Sequence, residues 1–320
     1  MTSQHKNSTV IWRLLDGKPG HEKQSYGLVN AIKRKTVCDV FDIPVKPHIG
    51  AWVNYVAAMW PQGQRYPHPD LIIGAGHHTH LHLLAAKKAF GGKTVVLMQP
   101  SLPVSMFDLA LIPAHDNFRG FGRFIETRGV LNAMSPVGEH HHDRALIMIG
   151  GHSRHFAWNT EDVIAQVEAL LMQHPTVRFT LTTSRRTPAE FIKKLQLKRI
   201  TALQIVPFAE TSSGWVEQQL ALSAFAWITE DSVSMVYEAL TAQVAVGVIN
   251  LKVIRENRVA NGLQQLVQKN MVVRFDMDGR YQANMRPMVG FREADVCANF
   301  ILNDWLVEHD TTTQPALARI

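Results

Sequence analysis

The chain has 320 residues, of which 46% are hydrophobic and 19% charged, a globular composition long enough for two domains with separate cores. Its formal net charge of +6 and pI near 9.4 point to an acidic partner: nucleic acid, anionic lipid or a phosphorylated small molecule. Nucleic acid is disfavoured, because the basic residues are scattered and no recognised nucleic-acid motif is present. No apolar run approaches the roughly 20 residues that span a bilayer, and Met1–Ser8 lacks the apolar stretch of a secretory signal. Cys38 and Cys297 have no CxxC partner, which disfavours a disulfide or a cysteine zinc site and makes a reducing cytoplasm the expected location.

Short apolar runs alternate with amphipathic segments, the pattern of parallel sheets built from βαβ units. In the first half this predicts strands at Val10–Leu15, Val37–Ile43, Leu71–Gly74, Thr94–Met98 and Leu109–Ile112. Helices are expected near His21–Arg34, Ala51–Met59 and Thr79–Phe90. Leu131–Arg144, with Pro136, Gly138 and His140–His142, reads as a linker. The alternation then restarts, with strands at Ala145–Ile149, Arg178–Thr182, Leu203–Val206, Ala224–Thr229, Val244–Ile249 and Met271–Arg274. Helices follow near Thr160–Gln173, Pro188–Leu195, Trp215–Leu222, Val233–Leu240 and Arg255–Lys269. A last helix, Phe291–Leu306, follows the second sheet and is expected to pack back on the first domain; Thr311–Ile320 reads as a loose tail. The expectation is α/β: two doubly wound Rossmann-like domains, 1–135 (with 290–308 returning to it) and 144–285, facing a cleft at the carboxyl ends of their strands.

The first strand runs into Asp16-Gly17-Lys18-Pro19-Gly20-His21, a tight turn whose N–H groups sit at a helix start and suit a phosphate or carboxylate. A plain turn capped by Asp16 is the alternative. Leu71–Gly76 enters a second glycine turn, a weak match to a dinucleotide fingerprint because Thr79 stands where the third glycine belongs. His77, His78, His80 and His82 follow without HExxH spacing or a nearby carboxylate, so metal binding is not expected there or at His140–His142. A P-loop is excluded at Gly92-Lys93-Thr94, which precedes a strand. His155 spoils a nucleophile elbow at Gly151–His155. Three strand ends of the second sheet share an anion-seeking character: Gly150-Gly151 with Ser153 and Arg154, Ser184-Arg185-Arg186, and Asp231-Ser232-Val233-Ser234 with Glu238 a turn further on. The cluster of Arg185, Arg186, Lys193, Lys194, Lys198 and Arg199 reads as a solvated helix face, with contact to an anionic membrane surface or a phosphate group as the alternative.

Four segments carry a resemblance: Asp16–Gln24, Pro69–Gly76, Ile149–Arg154 and Thr229–Ala239. In this order they resemble the plant mitochondrial-fission ELM family, whose bacterial relatives are described as candidate glycosyltransferases. That family is similar to the glycosyltransferase-B superfamily. The resemblance implies a Gly-His turn facing the acceptor, matched by Gly20 and His21. It also implies a second-domain helix that grips the nucleotide phosphates and carries a glutamate for the ribose, matched by Ser232, Ser234 and Glu238. The usual glycine-rich phosphate turn is replaced here by Asp231-Ser232-Val233-Ser234, which puts hydroxyls at the grip.

The implied reaction is metal-independent sugar transfer, with no cofactor, from a nucleoside-diphosphate sugar to a hydroxyl on a glycan or lipid-linked acceptor. The donor would lie against Gly151, Ser153, Arg154, Ser184, Arg185, Ser232, Ser234 and Glu238. The acceptor would lie against Gly17, Lys18, Gly20, Gln24, Gly74, Gly76 and His77. His21 is the expected general base and Asp16 the alternative; Asp116 and His115 are further candidates. Peripheral contact with the inner face of a membrane is compatible with the charge. A non-catalytic scaffold of the same fold is the rival reading. A nicotinamide-dependent epimerase is disfavoured, because Thr241 and not lysine follows Tyr237 by four positions.

Overall fold

A computed structural model describes residues 8–46, 50–254 and 258–305. The chain forms two compact units. One takes the residues up to Ala133 and resumes at Glu293; the other is Met134–Arg292.

The first unit contains β1 (Thr9–Leu15), α1 (Pro19–Lys33), β2 (Cys38–Pro44), α2 (Gly50–Val56), β3 (Leu71–Ala75), α3 (His77–Phe90), β4 (Lys93–Leu97), β5 (Leu109–Pro113) and β6 (Phe124–Thr127). Its sheet runs β2-β1-β3-β4-β5-β6, every pair parallel. β3 and β5 are apolar at every position and buried throughout, as strands covered on both faces must be. Neighbouring residues feed opposite layers. Ile11 and Ile73 join the α1 residues Leu28 and Ile32 on one face, whereas Trp12 and Ile72 join Trp60 and the α3 residue Leu83 on the other. β1 lies between β2 and β3, so the chain winds away from it in both directions. The carboxyl ends of β1 and β3 are therefore the switch point where α/β sheets bind ligands.

The second unit contains β7 (His141–Met148), β8 (Phe156–Ala157), α4 (Thr160–Gln173), β9 (Arg178–Thr182), α5 (Ala189–Leu197), β10 (Leu203–Val206), α6 (Trp215–Leu222), β11 (Ser223–Thr229), α7 (Val233–Thr241), β12 (Ala245–Ile249), β13 (Lys252–Val253), α8 (Arg258–Gln268) and β14 (Val273–Arg274). The parallel order β10-β9-β7-β11-β12-β14 puts the switch point between β7 and β11. β8 and β13 form a separate antiparallel ribbon.

The chain then returns to the first unit through α9 (Glu293–Asn299) and a π-helical turn, Phe300–Trp305. Ala294, Cys297, Ala298 and Ile301 are buried in the layer that holds Leu28 and Ile73. Glu293 accepts from the backbone N–H and the guanidinium of Arg128, each at 2.7 Å, and Asp295 pairs with Arg34 at 2.8 Å. The final helix predicted for Phe291–Leu306 is thus a short α-helix that loosens into a π turn. Leu306 and Thr311–Ile320 lie outside the described residues, as do the first three positions of the helix predicted from Arg255.

Two other sequence expectations change. The stretch read as a linker up to Arg144 already belongs to β7 from His141, which pairs with Ser223, while His140 Nδ1 meets the Ser223 carbonyl at 3.0 Å. The first half of β7 projects beyond the core and so tolerates a polar run. β6 was not expected, because its four residues follow the glycine-interrupted Arg119–Arg123 and only Thr127 is buried.

Candidate functional site

At the switch point of the first unit, the β1–α1 turn folds around one carboxylate. Asp16 Oδ2 lies 2.7 Å from His21 Nδ1, and the Asp16 side chain is inaccessible to solvent while His21 keeps a partly open edge. Asp16 Oδ1 accepts the Lys18 N–H at 3.2 Å, and Glu22 Oε1 accepts the Gly17 N–H at 3.1 Å. Gly17 needs its positive φ of 78° for this turn, while Gly20, in the first turn of α1, has open space beside it. From the β3 end, Gly76 (φ 85°) passes so close that a Cβ would run into His21 Nδ1. Gly74 is packed against Thr79. Gln24 Nε2 reaches Met98 Sδ at 3.3 Å, just past β4. The residues expected as alternative bases, His21 and Asp16, are therefore a bonded pair, as in hydrolase triads where a buried carboxylate orients an imidazole.

The histidines after β3 diverge. His77 is exposed at the start of α3, and its proton affinity is lowered by partial desolvation and by the charges of His78 and Lys18. His80 is buried, with Nδ1 3.1 Å from Ser101 Oγ; burial, then the charges of His77 and His21, push its pKa down to about 4. His82 points elsewhere, accepting from the Trp60 indole at 3.2 Å through Nδ1 and donating to the Lys46 carbonyl at 3.1 Å through Nε2. Among the described residues, no group of three or more histidine, cysteine or acidic side chains converges as metal ligands would. His115 and Asp116 occupy a turn after β5, two strands from the β1–β3 gap.

At the switch point of the second unit, three turns are tied together. The Gly150 N–H donates to Thr229 Oγ1 at 2.7 Å and the Gly151 N–H to Asp231 Oδ2 at 3.0 Å. Asp231, its side chain inaccessible, also pairs with Arg186 Nη2 at 2.8 Å and accepts from Ser232 Oγ at 3.2 Å. Its other oxygen, Oδ1, has no hydrogen-bond partner. Arg186 further bonds the His152 carbonyl at 2.9 Å and Ser232 Oγ at 3.1 Å. The guanidinium is about half-exposed, so N–H groups beyond these remain open to an anion. Ser232 precedes α7, whose first-turn N–H groups have no partner within the helix. Gly150 is required here, because a Cβ would collide with the Asp231 carboxylate.

Of the donor-side residues predicted from sequence, the structure brings Gly151, Ser184 and Ser232 together. Ser184 Oγ donates to the Gly150 carbonyl at 2.7 Å and so braces the turn. Ser153 caps its own turn, accepting the Phe156 N–H at 3.0 Å, and Arg154 is exposed. Arg185 is not at the cluster: its guanidinium stacks 5.7 Å from the Phe208 ring, and Arg186 takes the expected place. The doublet offered no local signal for which arginine turns inward. Ser234 is exposed in the first turn of α7, and Glu238 is buried within that helix. Glu230 and Asp231 point apart, as adjacent residues at a strand end do. Glu230 pairs with Arg274 at 2.9 Å and accepts the Leu251 N–H at 2.8 Å, while burial raises its pKa.

The fold is of the glycosyltransferase-B class. Among solved structures, a candidate UDP-N-acetylglucosamine 2-epimerase from Listeria monocytogenes matches at TM-score 0.58 and 12% identity, covering 98% of this chain and all of that one. MurG of Acinetobacter baumannii matches at TM-score 0.50 and 11% identity, covering 94% and 92%. An uncharacterized protein of Rickettsia prowazekii (strain Madrid E), RP120, is 25% identical; the match covers 54% of this chain and 62% of that protein's length. The family model described as Mitochondrial fission ELM1 matches residues 19–305, a span that contains His21, the Gly150-Gly151 turn of the second unit's switch point and α9. The chain belongs to the mitochondrial fission ELM1 family.

Proposed function

We propose that the protein is a metal-independent glycosyltransferase, moving a sugar from a nucleoside-diphosphate sugar to a hydroxyl acceptor. The observation that carries this reading is the buried Asp16 bonded to His21 Nδ1 at a strand-end switch point. With Nδ1–H donated to Asp16, His21 Nε2 holds the lone pair that takes a proton. The acceptor hydroxyl would lose its proton to Nε2 as its oxygen bonds the anomeric carbon. The bond from that carbon to the diphosphate breaks, and the diphosphate leaves with the electron pair. The second unit would take the donor, where Arg186 and the start of α7 offset the charge growing on the leaving group. Glu238 is assigned to the ribose hydroxyls.

Thermal-shift screening against nucleoside-diphosphate sugars identifies the donor, and turnover with glycan and lipid-linked acceptors tests the chemistry. Transfer that persists in saturating EDTA supports the proposal. Transfer abolished by EDTA and restored by Mn²⁺ overturns the metal-free mechanism. Donor binding with no turnover favours the scaffold reading. Acceptor-independent conversion of the nucleotide sugar favours an epimerase, since solved structures with this fold include UDP-N-acetylglucosamine 2-epimerases.

A further inference from the structure

From Gly50 to Gln64 the sequence carries no charged residue. Such a stretch normally sinks into a core. Here Ala51 and Trp60 do so, but Trp52, Val53, Val56 and Met59 stand out with half or more of their surface open, and Ala57 and Ala58 between them are exposed too. Isolated exposed apolar residues are ordinary; a contiguous group on one short helix and its following turn is not. The segment is anchored at both sides by one imidazole, because the buried His82 of α3 bonds the Lys46 carbonyl before it and the Trp60 indole after it. α2 is thus pinned to a rigid base with its apolar side outward.

The charges that flank it in the sequence are basic. Lys46, Arg65 and Lys88 are all exposed, and Lys88 sits at the edge of the patch, bonding the Val56 carbonyl at 3.1 Å and lying 5.2 Å from the Tyr55 ring. Between Val45 and Phe107 the only acidic residue is Asp70, and it accepts the Val10 N–H of the sheet at 2.8 Å. A second copy of the chain docking symmetrically would bring these like-charged rims together, which disfavours self-association here. Apolar side chains including a tryptophan, with Lys88 at their edge and carried on a segment whose flanking charges are basic, fit the headgroup boundary of an anionic bilayer.

We propose that α2 and the turn to Met59 form a docking surface for anionic lipid, seating Trp52, Val53, Val56 and Met59 at the acyl boundary with Lys46, Arg65 and Lys88 among the headgroups. This surface is independent of the transfer chemistry. The full chain should co-sediment with vesicles of equal parts phosphatidylcholine and phosphatidylglycerol, and should bind phosphatidylcholine vesicles at least about tenfold more weakly, with the difference shrinking as salt rises. Trp52→Ser with Val56→Ser should cut binding to the anionic vesicles about tenfold or more without lowering the melting temperature, since both side chains are exposed. Lys46→Glu with Arg65→Glu, which leaves the apolar face intact, should weaken the same binding. Equal binding to both vesicle types, or retained binding by both variants, overturns the proposal. A wild-type dimer in light scattering that Trp52→Ser with Val56→Ser dissolves overturns it too, by assigning the patch to a second copy.

Discussion

Asp16 and His21 lie five positions apart, and the helix start between them bends the chain so that they meet. If the pair acts as base and orienter, Asp16→Asn keeps the shape but loses the charge that stabilises the imidazolium, and kcat should fall by about two orders of magnitude or more. The donor KM should change little; an Asp16→Asn variant with unchanged kcat removes the Asp16 charge from the chemistry. At the other switch point, Arg186→Ala should weaken nucleoside-diphosphate binding about tenfold or more, for one charge-assisted contact of about 1.5–3 kcal/mol, as read by calorimetry. It also strands the buried Asp231, so the melting temperature should drop. Arg186→Lys restores a charge but cannot bridge the His152 carbonyl and Ser232 together, and should recover only part of each loss. The placement of single residues at the switch points was legible from sequence where a turn fixed it, as with Gly17, His21 and Ser232. It was illegible where identical neighbours compete, because nothing local decides whether Arg185 or Arg186 faces inward, and the Phe208 ring that captures Arg185 comes from another turn.

Within α1, two glycines make opposite demands on one helix. Gly27 faces the backbone of Asn132, whose carbonyl a Cβ would strike, so the helix can lie this close only without a side chain there. Gly27→Ala should destabilise the protein by about 1–3 kcal/mol through overpacking. Gly20→Ala meets open space and should leave stability unchanged or raise it by up to about 1 kcal/mol through helix propensity. Urea denaturation of the two variants tests the contrast, and equal effects would contradict the close approach. The elements themselves were legible where burial made them apolar throughout, as in β3 and β5. β6 and the outer half of β7 were not, because strands that project beyond the core keep polar residues and are held by backbone pairing that no side-chain pattern records.

Across the whole molecule, stability should depend on pH through the buried His80. Its pKa falls from 6.5 unfolded to about 4 folded, chiefly by desolvation, so the folded state binds fewer protons between those values. That stabilisation is complete above pH 6.5 and is lost as pH falls toward 4, an amount of about 3 kcal/mol. His80→Gln should flatten the decline in denaturation midpoint over this window; an unchanged slope would rule His80 out as its source. Glu230, whose pKa is raised, has the opposite sign, its cost growing as pH rises above 4.5.

The return of α9 to the first unit carries a consequence for how the chain is made. Ala294, Cys297, Ala298 and Ile301 complete a core layer whose other members precede Ala133, so the ribosome must add about 160 residues before that layer can close. At roughly 5–20 residues per second this is a wait of about 8–30 s, during which Leu28, Ile73 and their neighbours lack their cover. The second unit is contiguous and is fully synthesised before α9 emerges. Maturation therefore runs against chain order, with the amino-terminal unit finishing last. The unclosed layer is where a nascent-chain chaperone would find exposed apolar surface, and a released chain truncated just before Glu293 should have a protease-sensitive first unit while the second resists.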